Sequence, residues 1–301
     1  MEENHTRFNM DKDRIAILIG YRDRPTELYG LLQSLRTQTN KNWDIFILDD
    51  NSGTPIEVYH FLNMIVMRMK LEGNKFFYEK TPFNYGVSRM RQYLVDKALQ
   101  EGYNLTLRLD DDILLEPDYI ERLIKVMEQG YDIASGVTIS FGPQLKRDPI
   151  HLKGIINRVI LDKDGNFIMN GDDCGNSYTY DLTLPTHHFR SCALMKKEVH
   201  NKVSYYPTKL TRHGFREEQI FSFKALMEGF KIGVDTGAVN FHLMTPSGGE
   251  RFPEQGQMIP FNQQILEEFT RENKEKLSPS FPVEPKLSEL ALKKENNLLL
   301  K

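Results

Sequence analysis

Four short apolar runs in the first half of the chain each end in a polar turn and hand over to a segment with helical periodicity, and few folds tolerate that grammar. Arg14 to Gly20, Asp44 to Leu48, Lys75 to Tyr78 and Leu105 to Leu109 are too short for buried helices; the first is continuously apolar, as a strand buried on both faces is, and the last alternates before it ends in acids. The segments that follow repeat apolar residues every third or fourth position. Leu28, Leu31, Leu32 and Leu35 do so after Pro25, Val58, Leu62, Ile65 and Met69 within Ile56 to Met69, and Val87, Met90, Leu94 and Ala98 after Gly86. Pro117 to Gln129 is a fourth expected helix. Strand and helix alternating in this way predict an α/β three-layer sandwich, with a mostly parallel central sheet and helices on both faces. Ligands of such sheets gather beyond the strand C-termini. One edge would then collect Tyr21 to Arg24, Asp49 to Ser52, Asn84 to Arg91 and Asp110 to Asp112.

The second half reads less regularly. Tyr131 to Val137 is a fifth strand, and Ile155 to Leu161 with Phe167 to Met169 flank the polar turn Asp162 to Asn166 as a small β-hairpin. A calcium loop is disfavoured there, because its sixth position holds Phe167 instead of glycine and its twelfth Asp173 instead of glutamate. Asn170 to Leu184 reads as a loop, His187 to Met195 as a strand, and Tyr205 to Phe215 as a loop rich in aromatic and basic residues. The adjacent His187 and His188 would point to opposite faces, so ordinary bonded histidines are the simpler reading. Glu217-Glu218 opens a helix that Gly229 closes, followed by strand-like runs at Lys231 to Asp235 and Ala238 to Leu243, the loop Thr245 to Gly249, and a charged helical region from Phe261. The expected organisation is a polar extension over 1–13, a ligand-binding half over 14–137, a second half of the same domain over 138–260, and a helical charged tail over 261–301. That tail, with Leu287, Leu290, Leu292 and Leu298 to Leu300, reads as a frayed terminus, with a peripheral membrane helix as the rival.

Asp110, Asp111 and Asp112 are the chemical centre of the pattern. Neighbouring carboxylates repel, so a divalent cation is the simplest way to keep Asp110 and Asp112 both ionised, and oxygen ligands favour Mg2+ or Mn2+. The rival reading is a solvated acidic loop before a helix. Composition narrows the choice of ligand: 301 residues, 40% hydrophobic and 27% charged, make a full core, while a net charge of -3 gives no general attraction to nucleic acid. An anionic ligand must therefore be held by local cations or a metal. Met1 to Arg14 lacks an apolar signal-like stretch, no run approaches the roughly 18 apolar residues of a membrane span, and Cys174 and Cys192 lack zinc spacing. The expected location is cytoplasmic, with peripheral contact through the tail as the one membrane option.

The ordered set of motifs from about residue 14 to residue 243 resembles the family 2 glycosyltransferases of the GT-A fold, which use nucleotide-sugar donors on a Rossmann-like sheet. The matching pieces are Tyr21-Arg22-Asp23-Arg24-Pro25, Ile47-Leu48-Asp49-Asp50-Asn51-Ser52, Asn84-Tyr85-Gly86 with Arg91, Asp110-Asp111-Asp112 with Pro117-Asp118, and Gly214-Phe215-Arg216-Glu217-Glu218. The resemblance implies that Asp50 bonds the nucleotide base, and that Tyr21 and its neighbours, Arg24 among them, line base and ribose. Arg91 would lie near diphosphate or sugar. In the family's DxD motif Asp112 would bind the metal most directly, with Asp110 beside it, and Asp110 or Asp111 would contact ribose or sugar. His242 resembles a C-terminal histidine completing the metal site, and Glu218 the general base of inverting members. This chain departs from the family in carrying Glu218 where aspartate is usual, and Met90-Arg91-Gln92 where the family has Ala-Arg-Asn.

The implied activity is metal-dependent transfer of a sugar from a nucleoside-diphosphate donor, UDP-linked as the first choice, to a glycan or other hydroxyl acceptor with inversion. The alternatives are a retaining enzyme on the same fold and a non-catalytic nucleotide-sugar or glycan binder. Nucleotidyl transfer to a sugar phosphate would want a glycine-rich loop, and Tyr21 to Pro25 contains no glycine.

Overall fold

The computed structural model describes residues 14–140, 155–161, 167–173, 182–245, 248–249 and 255–281. Strands β1 (Ile15–Tyr21), β2 (Trp43–Asp49), β3 (Phe76–Lys80) and β4 (Leu105–Asp110) alternate with helices α1 (Pro25–Arg36), α2 (His60–Leu71) and α3 (Val87–Gln100). They form a parallel block in the order β3-β2-β1-β4, with Ile15 beside Trp43 on one side and Leu105 on the other. Every residue of β1 and β2 is buried, as continuous apolar runs demand when helices cover both faces.

The sheet continues through β10 (Ala193–Lys196), β6 (Ile133–Ser140), β11 (Ile232–His242) and β5 (Ile113–Leu115), with β9 (Thr183–Pro185) also pairing with β11. β10 enters antiparallel between β4 and β6, so both halves of the chain share one sheet. Helices α1, α2 and α4 (Tyr119–Glu128) cover one face, and α3, α5 (Lys197–His200) and α6 (Glu217–Met227) the other. β7 (Ile155–Leu161) and β8 (Phe167–Asp173) form the separate antiparallel hairpin.

Several sequence expectations are corrected. Ile56–Val58 is a 3-10 turn ahead of α2, and Val58 is exposed instead of inward. Ile113–Leu115 is a strand where only an approach to a helix was expected, because it pairs antiparallel with Asn240–His242. The two runs after Lys231 are one strand, β11, interrupted by an irregularity between Asp235 and Val239 where it pairs with β6. Only Ala193–Lys196 of the run from His187 is strand, and the expected loop from Asn170 includes the end of β8 and the start of β9. Helix α7 (Gln255–Glu272) begins before Phe261, and α8 (Lys274–Leu277) follows it. Leu277 and Phe281 are buried against α6, so the tail is anchored as far as Phe281. The turn Asp162 to Asn166, Cys174 and the leucines beyond Phe281 lie outside the described residues.

Gly136 shows how tightly β6 and β11 meet at that irregularity. A Cβ there would overlap the Ala238 carbonyl and the Tyr119 ring, and a backbone carbonyl does not swing aside as a side chain can. Gly136→Ala is expected to cost about 3 kcal/mol, the upper range for overpacking, read as a lowered urea midpoint with an unchanged slope.

Candidate active site

Alternation along β4 sends Leu105, Leu107 and Leu109 into the core under α1 and α4, leaving Thr106, Arg108 and Asp110 on the opposite face towards α3 and α6. Arg91 on α3 meets that face. It donates through Nη1 to the Leu109 carbonyl at 2.8 Å and pairs through Nη2 with Asp110. Burial pushes the Asp110 carboxyl up, but Arg91, Arg108 and His242 outweigh burial and hold it at about 2. Arg91, expected at a diphosphate, is therefore engaged with Asp110.

Beyond the strand, Asp111 accepts from Arg24 Nη1 at 2.8 Å and from the Arg22 backbone N–H at 3.2 Å. Burial raises its pKa, and the charge of neighbouring Asp112 adds to this against the opposing pull of Arg24. Asp112 is fully enclosed. Its Oδ2 accepts from the Thr245 N–H at 3.2 Å and faces Arg24 Nη1 at 3.1 Å. Its Oδ1 receives no hydrogen bond, although His242 Nε2 lies 3.2 Å away. Burial disfavours the imidazolium of His242, yet Asp112 and Asp110 together raise its pKa. Ser191 Oγ lies 3.4 Å from His242 Nδ1, the other ring nitrogen, and so orients the ring.

A divalent cation is implied by the motif, and the donor chemistry fits one. The undonated Asp112 oxygen and a histidine nitrogen on the same side form an oxygen-nitrogen pair suited to Mn2+. Among the described residues no group of three or more His, Cys, Asp or Glu side chains is arranged to hold a metal ion. Asp112 and His242 would make a two-residue half-site, to be completed by substrate oxygens or water, while Asp110, expected beside Asp112, is turned towards Arg91.

The start of α6 is tied to the same place. Arg108 is 3% exposed and donates through Nη1 to Glu217 Oε2 at 2.9 Å; its Nη2 lies 2.5 Å from Glu217 Oε1 and 3.5 Å from Glu218 Oε1. The guanidinium also packs beside the rings of Phe189 and Tyr205, at 5.4 and 5.7 Å. Arg216, in the left-handed region with φ 78°, turns the chain into the helix. Glu217 is buried by its pairing, whereas the Glu218 side chain keeps 23% of its surface exposed. Of the two acids, Glu218 is the one a substrate can reach.

The remaining expected site residues are placed less openly. Asp50 is enclosed and accepts the backbone N–H groups of Tyr85 at 2.6 Å and Gly86 at 2.9 Å. Gly86 takes φ 77° at this bend, and a Cβ there would overlap the Arg212 backbone. The carboxylate thus shapes the turn into α3. Asp49 does parallel work, accepting from the Ser52 N–H at 2.7 Å and the Tyr78 hydroxyl at 2.8 Å. Tyr21, expected to line a base, has its ring enclosed in the core under α1 and α2, because the last residue of β1 points to that face. His187 and His188 are also internal: His187 Nδ1 accepts the Val159 N–H at 2.9 Å, and burial pushes His188 down to about 3. Gly248 and Gly249 lie directly on Arg24, and the Gly249 N–H donates to the Arg22 carbonyl at 2.8 Å.

Sequence reasoning missed Arg108 and Ser191, and gave no partner to Asp49 or Glu217. A signal existed for Arg108, since an arginine between leucines in a buried strand must find an anion.

Residues 16–203 match the family model described as glycosyl transferase family 2. No curated protein matches the chain. Solved structures with a similar fold include S. aureus TarS residues 1–349 (TM-score 0.51, 13% identity, covering 76% of this chain and 60% of that one). The same TarS piece in complex with UDP-GlcNAc gives TM-score 0.52 at 13% identity, with coverages of 78% and 59%. GalNAc-T7 with UDP, GalNAc and Mn2+ gives TM-score 0.59 at 13% identity, with coverages of 94% and 54%. The chain spans less than two thirds of each of these structures, and at such identity the likeness is one of fold.

Proposed function

The chain belongs to glycosyl transferase family 2, and on that premise we propose that it transfers a sugar from a nucleoside-diphosphate sugar to an acceptor hydroxyl with inversion. The observation that carries this reading is the Arg108 bridge, which brings the paired acids of α6 to the strand that leads into Asp110, Asp111 and Asp112. Base and acidic cluster thereby share one sheet edge. Glu218 accepts the acceptor's proton as its oxygen attacks the anomeric carbon, and the donor's glycosidic C–O bond breaks with its electron pair leaving on the diphosphate. Asp112 and His242 would hold the Mn2+ or Mg2+, which as a Lewis acid supplies neutralisation of the diphosphate's growing charge. Arg24 fixes Asp111 and Asp112, and Arg91 fixes Asp110. UDP is the preferred donor nucleotide because the TarS and GalNAc-T7 structures were obtained with UDP or a UDP-sugar. The first half of the sheet would carry the donor, and the half from residue 138 onward the acceptor. No described helix is long and apolar enough to cross a membrane, so membrane contact through the tail rests on its leucines alone.

The test is a panel of UDP-, GDP- and dTDP-sugars incubated with Mn2+ or with EDTA, following release of nucleoside diphosphate. Release from one nucleotide class, abolished by EDTA, is expected; no release from any donor across an acceptor screen would overturn the reading.

Arg108 acts as a positioning residue here. Arg108→Met leaves Glu217 buried without its cation and is expected to cost about 3–5 kcal/mol of stability in urea unfolding. Arg108→Lys keeps the charge but not the two-pronged geometry. It should stay folded and lower kcat by about tenfold with donor KM unchanged, a split that general loosening of the fold would not produce.

A further inference from the structure

Among the described residues, nine large hydrophobic side chains are exposed, and five of them belong to one segment: Val58 at 60%, Phe61 at 40%, Met64 at 66%, Met67 at 58% and Leu71 at 81%. Helix α2 already buries Leu62, Ile65 and Met69 against the sheet, so it is apolar on its inner and outer faces alike. A helix of that kind is normally covered on both sides. His60, Met64, Met67 and Leu71 follow the i, i+4, i+7, i+11 spacing of a helix-packing seam, and the Phe61 ring lies against Tyr29 of α1 at 5.5 Å along one flank.

We propose that this face is a self-association surface, on which α2 pairs antiparallel with α2 of a second copy about a two-fold axis. The seam is self-complementary in that arrangement. Met64 and Met67 sit symmetrically about its middle, as do His60 and Leu71, so each meets its counterpart when the helix is reversed. Charge supports the same pairing. Asn63 Nδ2 donates to the Glu57 carbonyl at 2.6 Å, and Lys70 lies over Phe76 of β3 on that same flank, so an exposed acid and an exposed base stand at opposite ends of one flank. A two-fold axis returns that flank onto itself with its ends exchanged, and Glu57 of each copy falls about one helical turn, roughly 6 Å along the axis, from Lys70 of the other, a gap that the two long side chains span.

Size and charge favour a second copy over a lipid surface. Five side chains exposed to this extent present roughly 500 Å2 of apolar area per copy, so joining two copies removes about 1,000 Å2, the lower bound for a specific interface. The rim carries both signs, Glu57 and Glu72 beside Arg36, Arg68 and Lys70, and the chain's net charge of -3 gives no pull towards an anionic membrane.

Sedimentation velocity over a concentration series, from low micromolar to hundreds of micromolar, tests this independently of any catalytic assignment. The expected result is a concentration-dependent rise from monomer towards dimer. Met64→Lys combined with Leu71→Glu should remain monomeric across the series with an unchanged thermal midpoint, since both residues are exposed. Glu57→Lys and Lys70→Glu should each raise the dimer dissociation constant about tenfold, and the double charge swap should restore it. A wild-type chain that stays monomeric throughout would overturn the proposal, as would a dimer that survives the Met64 and Leu71 changes. A swap that fails to restore association overturns the antiparallel register, and loss of the chain onto neutral or anionic vesicles without self-association assigns the face to lipid instead.

Discussion

Glu218→Gln is expected to lower glycosyl transfer by about 10²–10⁴-fold, the range of a positioned general base, with donor binding intact. Glutamine matches glutamate in shape, and the backbone at Glu218 is held by the helix, where the Ser222 hydroxyl donates to the Glu218 carbonyl at 2.6 Å. Only the proton acceptor is lost. Glu217→Gln is the informative contrast, because Glu217 is the acid locked onto Arg108 at 2.5 and 2.9 Å. Its replacement should lower stability as well as rate, because Arg108 is left with Glu218 as its nearest acid, at 3.5 Å. Steady-state turnover with Mn2+, set beside urea unfolding of both variants, separates the two roles. Equal rate losses with equal destabilisation would mean that neither acid is the base and that both serve only to neutralise Arg108.

Asp112→Ala is the second large effect. It removes the carboxylate that lies between Arg24 and His242, leaving Arg24 its pairing with Asp111 and His242 without its acid neighbour. Metal-dependent turnover is expected to fall by at least about 10²-fold, since stabilisation of the leaving diphosphate is worth several kcal/mol. The fold should survive, because Arg24 keeps a 2.8 Å bond to Asp111. His242→Ala should cost less and shift the metal concentration needed for half-maximal rate, as removal of a second ligand would.

The parallel block was legible because β1 is buried on both faces and reads as a continuous apolar run, β2 nearly so, and β4 alternates apolar residues up to the acids at its end, patterns that need no knowledge of partners. The strands that were misread are those whose identity comes from a distant neighbour. Ile113–Leu115 is too short to show a period, and becomes a strand only because Asn240–His242 lies alongside it. β10 is similarly brief, and its antiparallel insertion between β4 and β6 is a property of the packed sheet. Val58 fitted the helical period but fell in a 3-10 turn, where the facing residue changes.

At the site, the acids at strand ends were legible as a set, but their partners were not. Asp50 and Asp49 both look available on paper, and in the fold Asp49 binds the turn that follows β2 while Asp50 binds the bend between β3 and α3. Tyr21 occupies the right strand end but points into the core. Arg91 lies in the right helix, one turn in, and reaches Asp110 instead of open space. Spacing alone reports which residues reach the edge; side-chain direction decides which of them face a ligand.

Titration calorimetry of UDP into the wild-type chain and Asp112→Ala, each with Mn2+ and with EDTA, tests the central claim most directly because it needs no acceptor. The wild type should bind UDP with Mn2+ and lose at least tenfold in affinity with EDTA, while Asp112→Ala binds weakly and equally in both. UDP binding that is indifferent to Mn2+ in the wild type, or undiminished in Asp112→Ala, would contradict the assignment of this edge as a metal-diphosphate site.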